Sequence, residues 1–180
     1  MSHRRLLWTD DDGPKHFLYE LSELEGRGWT VRWARSVTEA IRLLSAEPFE
    51  ALIVDQLMPV AEAGNGVVAE RFVWSGALLV AWLRAPEALA ALPARLQDLT
   101  APLTCARPHP DNVGLPLQLV SAFDDPEVDA LLATPALGAP RRIPKPVDLE
   151  DLLVLIEEAE READAAEAET QVGARAGEPC

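Results

Sequence analysis

Residues 5–12 read Arg5-Leu6-Leu7-Trp8-Thr9-Asp10-Asp11-Asp12, and residues 51–55 read Ala51-Leu52-Ile53-Val54-Asp55. Each is a short, almost continuous apolar run that stops on carboxylates. A strand covered by helices on both faces looks like this, whereas a strand with one wet face alternates. The two runs therefore predict interior strands of a parallel sheet, with Asp10, Asp11, Asp12 and Asp55 delivered to strand ends.

The segments around them fit the same scheme. Pro14 can open a helix in which Phe17, Leu18, Leu21 and Leu24 recur at helical spacing until Gly26 and Gly28 stop it. Trp29 to Ala34 alternates, as a strand with one exposed face does. Ser36 followed by Glu39 has the capping-box spacing, and Val37, Ile41 and Leu44 supply the apolar stripe of a second helix. From Gln56 to Ser75, Pro59, Gly64, Asn65 and Gly66 leave no period, which predicts a long loop. The run Ala77 to Arg84, opened by Gly76, reads as a helix, and Pro86 to Leu99 as a further helical piece carrying Leu89, Leu92 and Leu96. Residues 100–116 hold too much proline for an element. Leu117 to Ala122 restores a strand, Pro126 opens a short helix through Leu132, Arg141 to Pro144 forms a last short strand, and Asp148 caps a helix with Leu149, Leu152, Leu153, Leu155 and Ile156. Beyond Ile156 the chain turns to Ala and Glu and has little to bury, so a disordered acidic tail is expected over 161–180.

Strands alternating with helices predict an α/β domain with five parallel strands. Such sheets bind ligands at the carboxyl ends of their strands. Here those ends carry Asp10, Asp11, Asp12, Asp55, Ser121 and Lys145, in a chain whose only other lysine is Lys15. Carboxylates from two strand ends repel and raise one another's pKa unless a cation lies between them. All-oxygen ligands suit Mg²⁺, which keeps waters and accepts phosphate oxygens in its shell. A hydroxyl and an ammonium facing the same point suit the remaining oxygens of a phosphoryl group. Taken singly, Asp10–Asp12 would read as a solvated helix-capping turn, Asp55 as a strand terminator and Ser121 as a buried hydroxyl. Their combination with Lys145 reads as a site for phosphoryl transfer to an aspartate.

Composition narrows the classes further. With 30 acidic against 16 basic residues in 180, the net charge of −14 opposes contact with polyanions, so direct DNA binding is not expected. No run approaches the length of a membrane span, and no membrane association is expected. Only Leu6, Leu7 and Trp8 separate the N-terminal basic residues from Asp10, too few for a signal peptide. Cys105 and Cys180 fit neither a zinc site nor a disulfide framework. A cytoplasmic location is expected. His3, His16 and His109 are scattered, and no role is assigned to them.

Four ordered pieces resemble the receiver domain of bacterial two-component response regulators: Leu6-Leu7-Trp8-Thr9-Asp10-Asp11-Asp12, Leu52-Ile53-Val54-Asp55-Gln56-Leu57-Met58-Pro59, Leu119-Val120-Ser121-Ala122 and Ile143-Pro144-Lys145-Pro146. Gly76 to Arg84 looks like that family's third helix. The resemblance implies a flavodoxin-like sheet of strand order 2-1-3-4-5 over residues 1–160. It implies that Asp55 accepts a phosphoryl group from a sensor histidine kinase or phosphotransfer protein. Asp10, Asp11, Asp55 and the backbone carbonyl of Leu57 would hold Mg²⁺, Ser121 and Lys145 would take phosphoryl oxygens, and small Ala122 would leave the group accessible. Such a domain catalyses only its own phosphorylation and dephosphorylation. Its expected role is that of a stand-alone receiver acting through a downstream protein target, with homodimerisation left open.

Three departures accompany the likeness. Asp55 and Gly76 are 21 positions apart, more than in the family, so an insertion is placed at about 60–75. A second is placed at about 86–115. Three positions before Lys145, where the family often has an aromatic that swings inward, stands Arg142. Two other functions compete. One is an adaptor that keeps the fold but signals without phosphorylation, docking through its insertions. The other is a haloacid-dehalogenase-like phosphatase with Asp10 as nucleophile, since Thr9-Asp10-Asp11-Asp12-Gly13 resembles its Asp-x-Asp-Gly opening; it leaves Asp55-Gln56-Leu57-Met58-Pro59 unexplained.

Overall fold

The two apolar runs form β1 (Arg4–Thr9) and β3 (Ala51–Asp55), which pair in parallel with Leu6 opposite Ala51 and Thr9 opposite Val54. Their side chains divide between two cores. Leu7, Leu52 and Val54 enter one apolar cluster, while Leu6, Trp8, Ala51 and Ile53 enter the other. Both faces being buried, neither run can alternate. This computed structural model describes residues 4–61, 71, 72, 74–91, 103, 106–159, 161 and 165.

β2 (Trp29–Ala34) lies beside β1 at the sheet edge. Past β3, the chain forms β4 (Met58–Pro59) and β5 (Arg71–Phe72), then β6 (Leu117–Ser121) and β7 (Arg141–Pro144). The main sheet runs β2-β1-β3-β6-β7 with every pairing parallel. Counting only its five strands, that is the expected 2-1-3-4-5 order. On one face lie α1 (Leu18–Gly26) and an α-helix over residues 149–159, numbered α5 below. On the other lie α2 (Val37–Ala46), α3 (Ser75–Arg84) and α4 (Pro126–Leu132). Ser36 caps α2 as predicted, its Oγ accepting from the Glu39 N–H at 3.2 Å. No helix among the described residues is long and apolar enough to cross a membrane.

Three expectations need correction. Pro14 opens a 3₁₀ turn, Pro14–His16, and not α1. Phe17 leaves the helical path, φ −128°, and packs its ring against Trp8 and Trp33. Between Gln56 and Ser75 the chain is not all loop, since Met58 pairs with Phe72 and Pro59 with Arg71 in an antiparallel ladder. Pro86–Ala91 is 3₁₀ and not α-helix. Leu92, Leu96, Cys105, residues 62–70 of the first insertion and most of the acidic tail lie outside the described residues.

Residues 86–91, 103 and 106–115 are fastened to the body, because α3 is buried around its whole circumference from Ser75 to Leu83 and something must cover its outer side. Leu89, Leu103 and Leu115 join α3 in one apolar cluster. The Trp82 indole donates to the Ala106 carbonyl at 3.1 Å, and Arg84 to the Leu115 carbonyl at 2.8 Å. Asn112, fully buried, donates to the carbonyls of Leu44 and Glu47 and accepts from the Phe49 N–H at 2.8 Å. One side chain thus satisfies the orphaned C-terminal carbonyls of α2 and ties residues 110–112 to the entry of β3.

Candidate functional site

Parallel strands of similar length end level with one another, so their next residues meet at one edge of the sheet. Asp10 follows β1, Asp55 ends β3, Ser121 ends β6 and Lys145 follows β7. Asp10, Asp11 and Asp55 each offer a carboxylate oxygen, and the three lie within 4.8 Å of one another. Asp10 is 1% exposed and Asp55 4%. The Lys145 ammonium donates to Asp10 Oδ2 at 2.9 Å and to Asp55 Oδ2 at 3.0 Å, bridging carboxylates that would otherwise face each other unscreened. The remaining oxygens are also held: Asp10 Oδ1 accepts from the Asp12 N–H at 2.9 Å and Asp55 Oδ1 from the Leu57 N–H at 3.2 Å.

Burial is the largest influence on Asp55 and raises its pKa from 3.8 to about 6; Lys145 opposes the rise and Asp10 adds to it. For Lys145 burial alone would lower the pKa, but hydrogen bonds and attraction from Asp10 and Asp55 outweigh it and the ammonium is held above its usual 10.5. Above the cluster is a depression of about 260 Å³ lined by Asp11, Asp12, Asp55, Leu57, Ala122, Phe123 and Lys145. It is large enough for a phosphoryl group and its waters. Asp10 supports the floor from below.

Asp10, Asp11, Asp55, Leu57 and Lys145 therefore come together. Ser121 sits at the same edge, but its hydroxyl is engaged locally: it donates to the Phe123 carbonyl at 2.7 Å and accepts from the Phe123 N–H at 3.0 Å. Turning it toward the depression means giving up both bonds. Arg142 points elsewhere, its guanidinium paired with Asp124 at 2.9 Å and Asp129 at 2.7 Å, which ties β7 to the start of α4. Phe123 beside it is about half exposed.

Two neighbours carry no chemistry of their own but hold the end of β3. Ser75 is fully buried; its Oγ donates to the Gln56 carbonyl at 3.0 Å and accepts from the Met58 N–H at 2.9 Å. The first turn of α3 is thus clasped onto the backbone just after Asp55. At Gly76 a β-carbon would stand 2.7 Å from the Asp55 carbonyl and 2.8 Å from the Gln56 Cα, both backbone atoms. Gly76→Ala is expected to cost about 2 kcal/mol by overpacking and to shift the Asp55 and Gln56 amide resonances. An alanine variant with wild-type thermal stability and unmoved amides would remove this role.

The fold is that of solved response-regulator receiver domains. Among solved structures, the chain is similar to the signal receiver domain of a LuxO repressor-like protein from Vibrio parahaemolyticus, with TM-score 0.59 and 12% identity over 93% of this chain and 97% of that one. A response regulator from Chloroflexus aurantiacus matches with TM-score 0.55 and 23% identity over 88% and 98%. A response regulator from Burkholderia pseudomallei, with a phosphorylated aspartic acid, a calcium ion and citrate, matches with TM-score 0.50 and 23% identity over 92% of this chain and 73% of that one. No family model and no curated protein sequence matches the chain.

Proposed function

We propose that the protein is a receiver that takes a phosphoryl group onto Asp55 from a phosphohistidine in a kinase or phosphotransfer protein and signals by changing its affinity for a protein target. The observation that carries this is the bridging of Asp10 and Asp55 by Lys145 beneath a depression onto which Asp55 opens. The donor set fits a hard divalent cation: Asp10, Asp11 and Asp55 present only oxygens, and Leu57 lines the depression beside them. When bound there, Mg²⁺ would neutralise charge and orient phosphoryl oxygens. An oxygen of Asp55 forms the new bond to phosphorus as the bond to the donor imidazole nitrogen breaks; that nitrogen leaves with the electron pair and is protonated by solvent. Lys145, already within reach of Asp55, turns its ammonium to the incoming phosphoryl oxygens. Ser121 reaches them by releasing Phe123, so residues 121–125 are the segment whose arrangement depends on phosphorylation.

The phosphatase alternative needs Asp10 as nucleophile, yet Asp55 lines the depression and Asp10 does not. An adaptor that works without phosphorylation remains the second reading, favoured by the firm attachment of the second insertion through Trp82, Arg84 and Asn112. Incubation with acetyl phosphate and Mg²⁺ separates the three. The expected result is a mass gain of one phosphoryl group, labile to base, absent without Mg²⁺ and absent in Asp55→Asn. A label surviving Asp55→Asn but lost in Asp10→Asn would favour the phosphatase. No label from acetyl phosphate or from a phosphohistidine protein would favour the adaptor.

A further inference from the structure

The Asp10 main chain is gripped from the side by β2. Its N–H donates to the Ala34 carbonyl at 2.9 Å, which merely continues the β1–β2 ladder. Its carbonyl accepts from the Trp33 indole N–H at 2.7 Å, which no ladder requires. The indole is itself immobilised: it stacks on Trp8, centroids 5.1 Å apart at 21°, and meets Phe17 at 5.8 Å, while Phe17 packs on Trp8 at 4.6 Å. Trp8 is buried in the core, so the stack anchors the indole to the sheet. The stack also accounts for the departure of Phe17 from α1.

A carboxylate that ligates a cation works only if its backbone holds it at a fixed height and angle, which groups one bond further out commonly ensure. We infer that Trp33 is a positioning residue for the divalent-cation site, fixing Asp10 through its carbonyl so that Asp10 and Asp11 meet Asp55 at ligating distance. The inference rests on the Mg²⁺ reading of the Asp10–Asp11–Asp55 cluster given above. Trp33 does not touch the cation; it acts through the peptide that links Asp10 to Asp11.

The test is a titration of the ¹⁵N-labelled full chain with Mg²⁺ alone. The Trp33 indole N–H resonance is expected to move along the same saturation curve as the Asp11 amide, while the Trp82 indole, bonded to the Ala106 carbonyl, stays in place. Calorimetry is expected to show Trp33→Phe, which keeps an aromatic ring in the stack but loses the N–H donor, binding Mg²⁺ about tenfold more weakly. Trp82→Phe loses a comparable indole–carbonyl bond at the second insertion and is expected to keep wild-type affinity. A Trp33 indole that does not respond to Mg²⁺ overturns the inference even if Trp33→Phe fails to fold. Equal affinity in Trp33→Phe and wild type overturns it while leaving the proposed site intact. Failure of the wild type to bind Mg²⁺ removes the site and the inference together.

Discussion

Lys145→Met is expected to destabilise the Mg²⁺-free protein by about 3 kcal/mol at pH 7, read from urea denaturation. The ammonium lies 2.9 Å from Asp10 and 3.0 Å from Asp55, whose side chains are 1% and 5% exposed. Removing one member of a buried ionic cluster typically costs about 3–5 kcal/mol, because the desolvated partner charges lose their compensation. Lys145 keeps 23% exposure and some water, which places the effect at the low end. Methionine has nearly the same length and volume, so loss of packing contributes little. The pH dependence carries the sign. Held above 10.5 in the folded state, Lys145 contributes its stability in full below that value and loses it as pH rises through the raised one. Lys145 also restrains the Asp55 pKa, so without it that carboxyl keeps its proton to higher pH and the deficit of the variant widens as pH rises through neutrality. It shrinks in acid, where protonated carboxyls no longer need the cation. Saturating Mg²⁺ should narrow the deficit by placing another cation between the same carboxylates. A variant as stable as wild type at pH 7 without Mg²⁺ would contradict this balance of charge.

The main features of the site were readable because its residues lie at the ends of locally recognisable strands. The runs ending in Asp10 and Asp55 are apolar on both faces, and that pattern alone locates their carboxyl ends. Ser121 follows from the same rule, while Lys145 follows a short strand with only Ile143 buried, and its place was legible from the Ile143-Pro144-Lys145-Pro146 likeness. What escaped reading depends on partners distant in the chain or on elements too short to show a period. Asn112 sits in a proline-rich stretch with no local signal, and its partners Leu44, Glu47 and Phe49 are more than sixty residues upstream. β4 and β5 have two residues each, which no alternation can reveal. Ser75 and Gly76 read only as the start of a helix, since the clasp on Gln56 and Met58 exists only once α3 is docked. The all-round apolar character of residues 76–83 was visible and does imply a cover for α3. Proline in 100–116 predicts loop, and over residues 106–116 that loop is irregular but packed.

The second large effect has the opposite sign. Asp55→Asn is expected to stabilise the Mg²⁺-free protein by about 2–3 kcal/mol at pH 7.5, with the gain vanishing near pH 4. Asp55 is the proposed nucleophile, and the fold holds it where its charged form is least welcome: burial lifts its pKa from 3.8 to about 6 even with Lys145 beside it. Between these two values the folded state retains a proton that the unfolded chain has already released, so stability falls as pH rises through that window and stays lower above it. At about 1.4 kcal/mol per pH unit the deficit approaches 3 kcal/mol. Asparagine has the shape of the protonated acid and never ionises, and Lys145 keeps Asp10 as its ionic partner. Subtracting wild-type from variant stability at each pH cancels the other titrating groups, which leaves the curve of Asp55 alone. Mg²⁺ should reverse the order: bound preferentially by the ionised wild type, it stabilises that protein by mass action and expels the Asp55 proton, so its affinity weakens as pH drops below about 6. The asparagine variant, lacking one anionic ligand, gains much less. A difference curve that is flat from pH 4 to 7.5 would show that the nucleophile is not strained by its setting. Wild-type stability rising relative to the variant over that range would show that Lys145 dominates burial at this residue.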